Sequence, residues 1–439
     1  MKPSTLASKA KTRLRSIKRL ASSYISALRA RVSLPPGRLY DLHKREFTNQ
    51  KFLLDCMTRY GPVFKSWQDN SIVVCVVGLD RIRRLMSERE DLLRPVSVPV
   101  AAPFPKGLMR VMEGLDHKKY RSQLNAALKV DQSEAKPGFV DATVVAEVDA
   151  VLATIQDAPP THIQLDALLT RISTGVLLQM FFGLKLGTRP YEDLMRMYSE
   201  LGPDGYVMQV GASQRSAFER IQQFLVADLG RLMSDRVIGR NSVLGNMSGA
   251  GDLDDVALGN LIYMVEIGRY DLTGLFRWML SYASRHPDLQ RQLALAEPSQ
   301  QQSLALAYVY ETLRLSQIER LLRSVREPFV FDGFYFPRHA LVRVCLWESH
   351  KLPELFDEPF DFCPQRFATS DSLNDILPFG VGKHRCPMAS NNLHIGARFI
   401  CALVGSYQIA ETVEENPYRG RHHWEPAKEF NVGIGKRVP

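Results

Sequence analysis

The spacing of apolar and polar positions along the chain is mostly helical. Phe52–Tyr60, Asp80–Glu88 and His117–Leu128 repeat apolar residues every three or four positions, which puts them on one helical face. Gly114 and Asp116 supply a start signal for the third. The same spacing predicts helices over 140–156, 162–185 and Ala212–Val237, the first two separated by Pro159-Pro160. Val256–Ser284 is apolar almost all round, so it predicts a long buried helix that His286-Pro287 ends. Further helices are expected over Asp288–Ala296, Ser303–Ser316 and Leu393–Leu403. Lys136-Pro137-Gly138 and the Gly- and Asp-rich stretch Gly245–Asp255 read as loops. Ser71–Val77 is a β-branched run that predicts a buried strand turned by Gly78. Residues 328–347 alternate as short strands around Asp332-Gly333 and Pro337. There is no internal repeat and no strand–helix alternation of the kind a doubly wound sheet requires. The expected class is mainly α with a small β region in the C-terminal half.

The first residues differ from the rest. Leu14, Ile17, Ala21, Tyr24, Ile25, Leu28 and Val32 share one face of a helix drawn over residues 6–32, and Lys11, Arg15, Lys18, Arg19 and Arg29 lie largely elsewhere. Three readings stay open: a basic amphipathic helix on an anionic membrane surface, an organelle transit peptide, or a flexible or docked extension. No uncharged stretch in this arm approaches the roughly 18 residues a membrane span needs. Pro35-Pro36-Gly37 divides an arm, residues 1–37, from a body, residues 38–439.

Charge sharpens that division. The chain of 439 residues has a net charge of +9, but ten of its 56 Lys and Arg lie within residues 1–40, where there is no Asp or Glu. The remainder carries 46 basic against 47 acidic side chains, so nothing marks the body as a nucleic-acid binder. Hydrophobic residues are 45% and charged residues 23%, an ordinary composition for a folded protein. The six cysteines are scattered without a CxxC pair, which excludes a disulfide scaffold or a zinc finger and suits a reducing compartment such as the cytoplasm.

The densest chemistry lies in Pro378-Phe379-Gly380-Val381-Gly382-Lys383-His384-Arg385-Cys386-Pro387. A cysteine follows a glycine-bearing loop and precedes an apolar helix. Backbone amides there can favour a thiolate, and glycines let a flat cofactor approach closely. His384 and Arg385 offer donors to a carboxylate. This stretch resembles the heme-binding motif of the cytochrome P-450 family, Phe-x-x-Gly-x-His/Arg-x-Cys-x-Gly. Phe379, Gly382, His384 and Cys386 are in register, and Met388 stands where the last glycine belongs. Three further marks agree in order: the Glu-x-x-Arg pair Glu311 and Arg314, the Pro-x-Arg-Phe element Pro364–Phe367, and the His-x-x-x-Arg pair His117 and Arg121.

The resemblance implies the P-450 fold and one heme b, iron protoporphyrin IX, with Cys386 as its thiolate ligand. It implies that Phe379 shields the sulfur, that Gly382 shapes the loop, and that His384, His117, Arg121 and Arg323 hold the heme propionates. Glu311, Arg314 and Arg366 would form a buried ion-pair network. The implied activity is monooxygenation of a small organic molecule, in secondary metabolism, with electrons from a separate ferredoxin or flavoprotein reductase. A soluble, bacterial-type, cytoplasmic enzyme is expected, peripheral at a membrane if the arm binds one.

One element departs from the pattern. The family's oxygen-binding helix carries a groove glycine followed by an acid–alcohol pair. Here Gly268 matches, but Tyr270 and Asp271 occupy the acid and threonine positions, or Asp271 and Leu272 with a shift of one. Gly268, Tyr270 and Asp271 are the catalytic candidates, with Asp271 as proton relay. The altered pair leaves two other activities open: non-hydroxylating heme-thiolate chemistry (oxidative coupling, peroxygenase, isomerase or dehydratase), or heme binding without catalysis.

Overall fold

A computed structural model describes residues 3–46, 48–96, 107–129, 139–153, 161–201, 212–234, 242–317, 320–368, 375–410, 417–419, 424–427 and 431–437. The loop expected at Lys136–Gly138 and the Pro159-Pro160 break lie outside these residues. The chain forms two compact units. Unit 1 comprises Met1–Ser97, Ile318–Asp361 and Asn374–Arg385; unit 2 comprises Val98–Gln317, Phe362–Leu373 and Cys386–Pro439. The boundary expected at residue 37 thus falls inside unit 1.

Unit 1 is built on a five-stranded sheet in the order Val63–Gln68, Ser71–Val76, Leu341–Cys345, Arg320–Val325, Leu93–Pro95. Ser71–Val76 and Leu341–Cys345 pair in parallel; the other pairings are antiparallel. Three of the five strands therefore come from the first hundred residues, whereas a β region was expected in the C-terminal half. Val63–Gln68 escapes a hydrophobicity pattern because it carries Lys65, Ser66 and Gln68. It is fixed instead by a tight hairpin, in which Asp69 and Asn70 adopt φ of 49° and 59°, the left-handed pair that matches strand twist. Val63, Ile72, Val74, Val76, Val342 and Val344 fill the core on one face of the sheet. The N-terminal helix Pro3–Ala30 ends beside this core, with Ala27 and Leu34 buried in it.

Unit 2 is mainly helical. Its axis is the helix Asp255–Arg285, 31 residues long, started by the Asp254 carboxylate, which accepts the Ala257 N–H at 2.8 Å. It packs along Leu165–Phe182, the one described helix long and apolar enough to cross a membrane; 72% of that helix is buried inside the fold, as a core helix is. Phe276 stacks on Phe399 with centroids 3.9 Å apart, joining the long helix to Ala389–Ser406. A small antiparallel sheet runs Thr161–Gln164, Asn431–Lys436, Tyr407–Ile409.

Two expectations change here. Thr161–Gln164 is a strand and not a helix start, because its partner Asn431–Lys436 lies far along the chain. The expected loop Gly245–Asp255 holds most of a short helix, Val243–Gly249. Ser242 caps it by accepting the Gly245 N–H at 3.0 Å, and buried Val243, Leu244 and Met247 offset the cost of its glycines. At the end of Pro298–Thr312 the helix opens into a π-helical turn, Leu313–Gln317.

Candidate active site

In unit 1 the glycine-bearing loop is held from both ends. The Leu377 N–H donates to His350 Nε2 at 3.0 Å, and Gly380 N–H to the Leu377 carbonyl at 3.1 Å. Gly380 and Gly382 have φ of 76° and 80°, which only glycine adopts without strain. A side chain at Gly382 would also overlap the Glu90 carboxylate. That carboxylate accepts the Lys383 N–H at 2.7 Å, and Lys383 Nζ pairs with Asp91. The next turn closes with Arg385 N–H on the Gly382 carbonyl at 3.1 Å. Phe379 and His384 are half-buried. Arg323 lies in the strand Arg320–Val325, buried, between Leu341–Cys345 and Leu93–Pro95.

In unit 2, Cys386 stands three residues before Ala389–Ser406. Its sulfur is half-buried, at the end of a helix where orphan N–H groups and the helix dipole favour an anion. Asn392 Nδ2 lies 4.0 Å from Sγ. By contrast, burial pushes the thiols of Cys56 and Cys401 up to about 11. Met388, in place of the motif's last glycine, is buried as the first helix cap. The helix itself seats tightly, since a Cβ on Gly396 would lie 3.0 Å from Val309 Cγ2. His117 and Arg121 lie one turn apart on one face of Gly114–Leu128, the first buried and the second half-buried.

The ion-pair network comes together within unit 2. Arg314 donates through Nε and Nη2 to the two oxygens of Glu311 at 2.7 and 2.8 Å, both side chains fully buried. Arg366 Nε adds a third bond at 3.0 Å and the Cys363 N–H a fourth at 2.9 Å. Paired this completely, the buried charges are tolerated.

On the long helix, Met264, Ile267, Gly268 and Asp271 are half-buried and recur at three- and four-residue intervals, so they share one face. Leu272 is buried on another. Asp271 therefore shares the Gly268 face. Tyr270 points about 100° away, the turn per helical residue. With Thr273, Gly274, Arg277 and Trp278 it lines a pocket closed by Trp424, Glu425 and Pro426. Burial and the nearby Glu425 and Asp271 carboxylates push its phenol far up, so it stays an O–H at neutral pH. The structure does not bring Tyr270 onto the face of Gly268 and Asp271.

Sequence reading missed the buried pair of Glu266 and Arg269. Burial raises the Glu266 carboxyl, while Arg269 draws it back down. The signal was present: a Glu-x-x-Arg spacing within an otherwise apolar helix, the same spacing that joins Glu311 and Arg314.

The cytochrome P450 family model matches residues 276–394, which include the Glu-x-x-Arg pair and Cys386. Over that stretch the chain is similar to the cytochrome P450 family. Among curated relatives of this chain, abscisic acid 8'-hydroxylase 2 of Oryza sativa subsp. indica is 24% identical over 398 residues, 81% of this chain and 77% of the relative. Abscisic acid 8'-hydroxylase 1 of Arabidopsis thaliana is 21% identical over 420 residues, 86% and 87% of the two chains. The retinoic-acid-bound structure of cyanobacterial CYP120A1 superposes with a TM-score of 0.74 at 17% identity, covering 92% of this chain and 100% of that one. The fold is thus the mainly helical P450 fold with small sheets. The protein is a monooxygenase whose cofactor is heme held by a cysteine thiolate. Within each unit the residues present fit that group: in unit 2 a half-buried thiol at a helix N-terminus and the buried His117, and in unit 1 a glycine turn whose Gly382 admits no side chain and the buried Arg323.

Proposed function

We propose that Cys386 would hold the heme iron through its thiolate and that this protein oxidises a small, largely apolar organic molecule in secondary metabolism. The observation that carries this reading is the position of Cys386, directly after the Gly380 and Gly382 turn and directly before Ala389–Ser406. Bound heme supplies activation of dioxygen. The chain supplies the rest. Phe379 would cover the sulfur, and Gly382 would leave room for close approach. His384, His117, Arg121 and Arg323 would hold the propionates by charge-assisted bonds. Asp271 passes a proton inward from solvent through its carboxylate. Met264 and Ile267 give the same helix face an apolar surface for substrate.

Electrons come from a separate ferredoxin or flavoprotein reductase. The enzyme works in the cytoplasm, at a membrane surface reached through its N-terminal helix. A screen of spectral shifts on ligand addition tests the substrate class: apolar compounds should displace the resting spectrum, and shifts confined to charged compounds would contradict the reading.

A second reading has one observation in its favour. Leu272 brings no hydroxyl, and the Thr273 hydroxyl bonds Ser173 Oγ at 2.8 Å and the Arg269 carbonyl at 2.7 Å. Without an alcohol beside Asp271, coupling or peroxygenase chemistry becomes an option. Turnover with peroxide and no reductase would favour it; strict dependence on an electron donor would exclude it.

A further inference from the structure

The N-terminal helix Pro3–Ala30 has two separate apolar faces, and only one is used inside the fold. Ser16, Leu20, Ser23 and Ala27 recur at helical spacing and are buried or half-buried. Leu20 and Ala27 pack against the core of unit 1, and Val32 and Leu34 continue that contact beyond the helix. The connection is then pinned. The Ser33 carbonyl accepts the Tyr335 N–H at 2.8 Å, the Pro36 carbonyl accepts the Lys65 N–H at 2.7 Å, and Lys65 Nζ donates to the Pro35 carbonyl at 2.6 Å.

Apart from Leu20 the docked face is made of small side chains, and the other large ones are outside. Leu14, Ile17, Tyr24, Ile25 and Leu28 are 55%, 56%, 42%, 49% and 78% exposed. At about 100° per residue they fall within an arc of about 100°, centred about 120° from the docked face. One exposed apolar residue on a surface needs no explanation, but a contiguous stripe of five marks a contact surface. Exposed Arg15, Lys18, Arg19 and Arg29 run along the flank of that stripe, away from the docked face. Residues 1–40 hold no acid to compensate them, while the rest of the chain is nearly neutral.

We propose that the stripe of Leu14, Ile17, Tyr24, Ile25 and Leu28 inserts into the surface of a bilayer rich in anionic phospholipid, with the basic flank at its headgroups. This deepens the peripheral localisation proposed above and is independent of the heme assignment. Charge complementarity selects the occupant: a protein groove could take the apolar stripe alone, but a row of unpaired basic residues beside it fits a continuous anionic surface. The docked face stays in place, so binding requires no unfolding of the helix and fixes the orientation of unit 1 on the membrane.

The test uses the full-length, heme-loaded protein and vesicles of phosphatidylcholine with and without 30% phosphatidylserine, about the regime in which surface charge governs such binding. Two variants probe the two parts: Ile17→Ser with Ile25→Ser and Leu28→Ser on the stripe, and Arg15→Ser with Lys18→Ser and Arg29→Ser on the flank. The intact protein should sediment with anionic vesicles at least ~10-fold better than with neutral ones. Each variant should lose at least ~10-fold of that binding while keeping its heme per chain. Undiminished binding by the stripe variant, equal binding to neutral vesicles, or a stripe-dependent dimer without vesicle binding would overturn the proposal. A protein that binds vesicles but no heme would contradict the heme assignment and leave this one standing.

Discussion

Glu266 and Arg269 form a two-point ion pair one turn apart on the long helix, with Nε 2.8 Å from Oε2 and Nη2 3.1 Å from Oε1. Both side chains are almost fully shielded from solvent. The pair commits Arg269, and Arg277 is likewise committed to Glu425 and to Asp166 at 3.2 Å.

Removing one member of the pair leaves the other charge buried alone. Glu266→Gln should cost about 3–5 kcal/mol in denaturant unfolding, the range for breaking a buried pair. The double variant with Arg269→Met should recover part of that loss. A change below about 1 kcal/mol in the single variant would show that water reaches the pair, since exposed pairs are worth that little.

Asp271→Asn keeps the size and removes the titratable oxygen. Turnover per heme should fall by at least ~100-fold, the low end for losing an acid–base group. Heme content should not change, because Asp271 is assigned no contact with the cofactor. Near-normal turnover with intact heme would remove the relay from the account.

Glu147 supplies a packing test. Its carboxylate is fully buried and accepts from Gln179 Nε2 at 2.7 Å and from the Tyr191 hydroxyl at 2.7 and 2.8 Å. It lies where a Cβ on Gly175 would be. Gly175→Ala should therefore destabilise the protein by about 1–3 kcal/mol, as overpacking does, against the usual gain from Gly→Ala in a helix. A stabilised variant in thermal melts would contradict the geometry.

The same carboxyl predicts a pH dependence. Burial raises its folded-state pKa, with the Tyr191 and Gln179 donors opposing. A raised acid favours the folded state most when protonated, so its contribution is complete below the unfolded-state value and declines as pH rises through the folded one. Stability of the native protein relative to Glu147→Gln should fall as pH rises above about 4, the unfolded-state value. A difference that stays constant as pH rises above that value, in melts of both proteins, would contradict the shift.

The sequence carried the helices well where one face was apolar over three turns. Phe52–Tyr60 ends where its pattern ends, and Val256–Ser284 differs from the observed helix by one residue at each end. Patterns failed where a distant partner decides the structure. Val63–Gln68 is a strand because of a hairpin and Ser71–Val76, and Thr161–Gln164 because of Asn431–Lys436. In the site, the Glu311, Arg314 and Arg366 network was legible because its spacing reflects a local turn plus one fixed element. The N-terminal stripe was legible as a face, but not its direction: it turns to solvent, since Ser16, Leu20 and Ala27 fit closer to the sheet. Tyr270 and Asp271 are neighbours in sequence, and only the helical rotation between them shows that they serve different surfaces.

The central claim is that Cys386 holds the heme iron. The most direct measurement is the carbon monoxide difference spectrum of the reduced protein, recorded for the native chain and for Cys386→Ser. The native protein should give the thiolate-type band, and the variant should lose it, while Cys363→Ser, which alters the other half-buried cysteine, should keep it. A thiolate-type band that persists in Cys386→Ser would contradict the assignment.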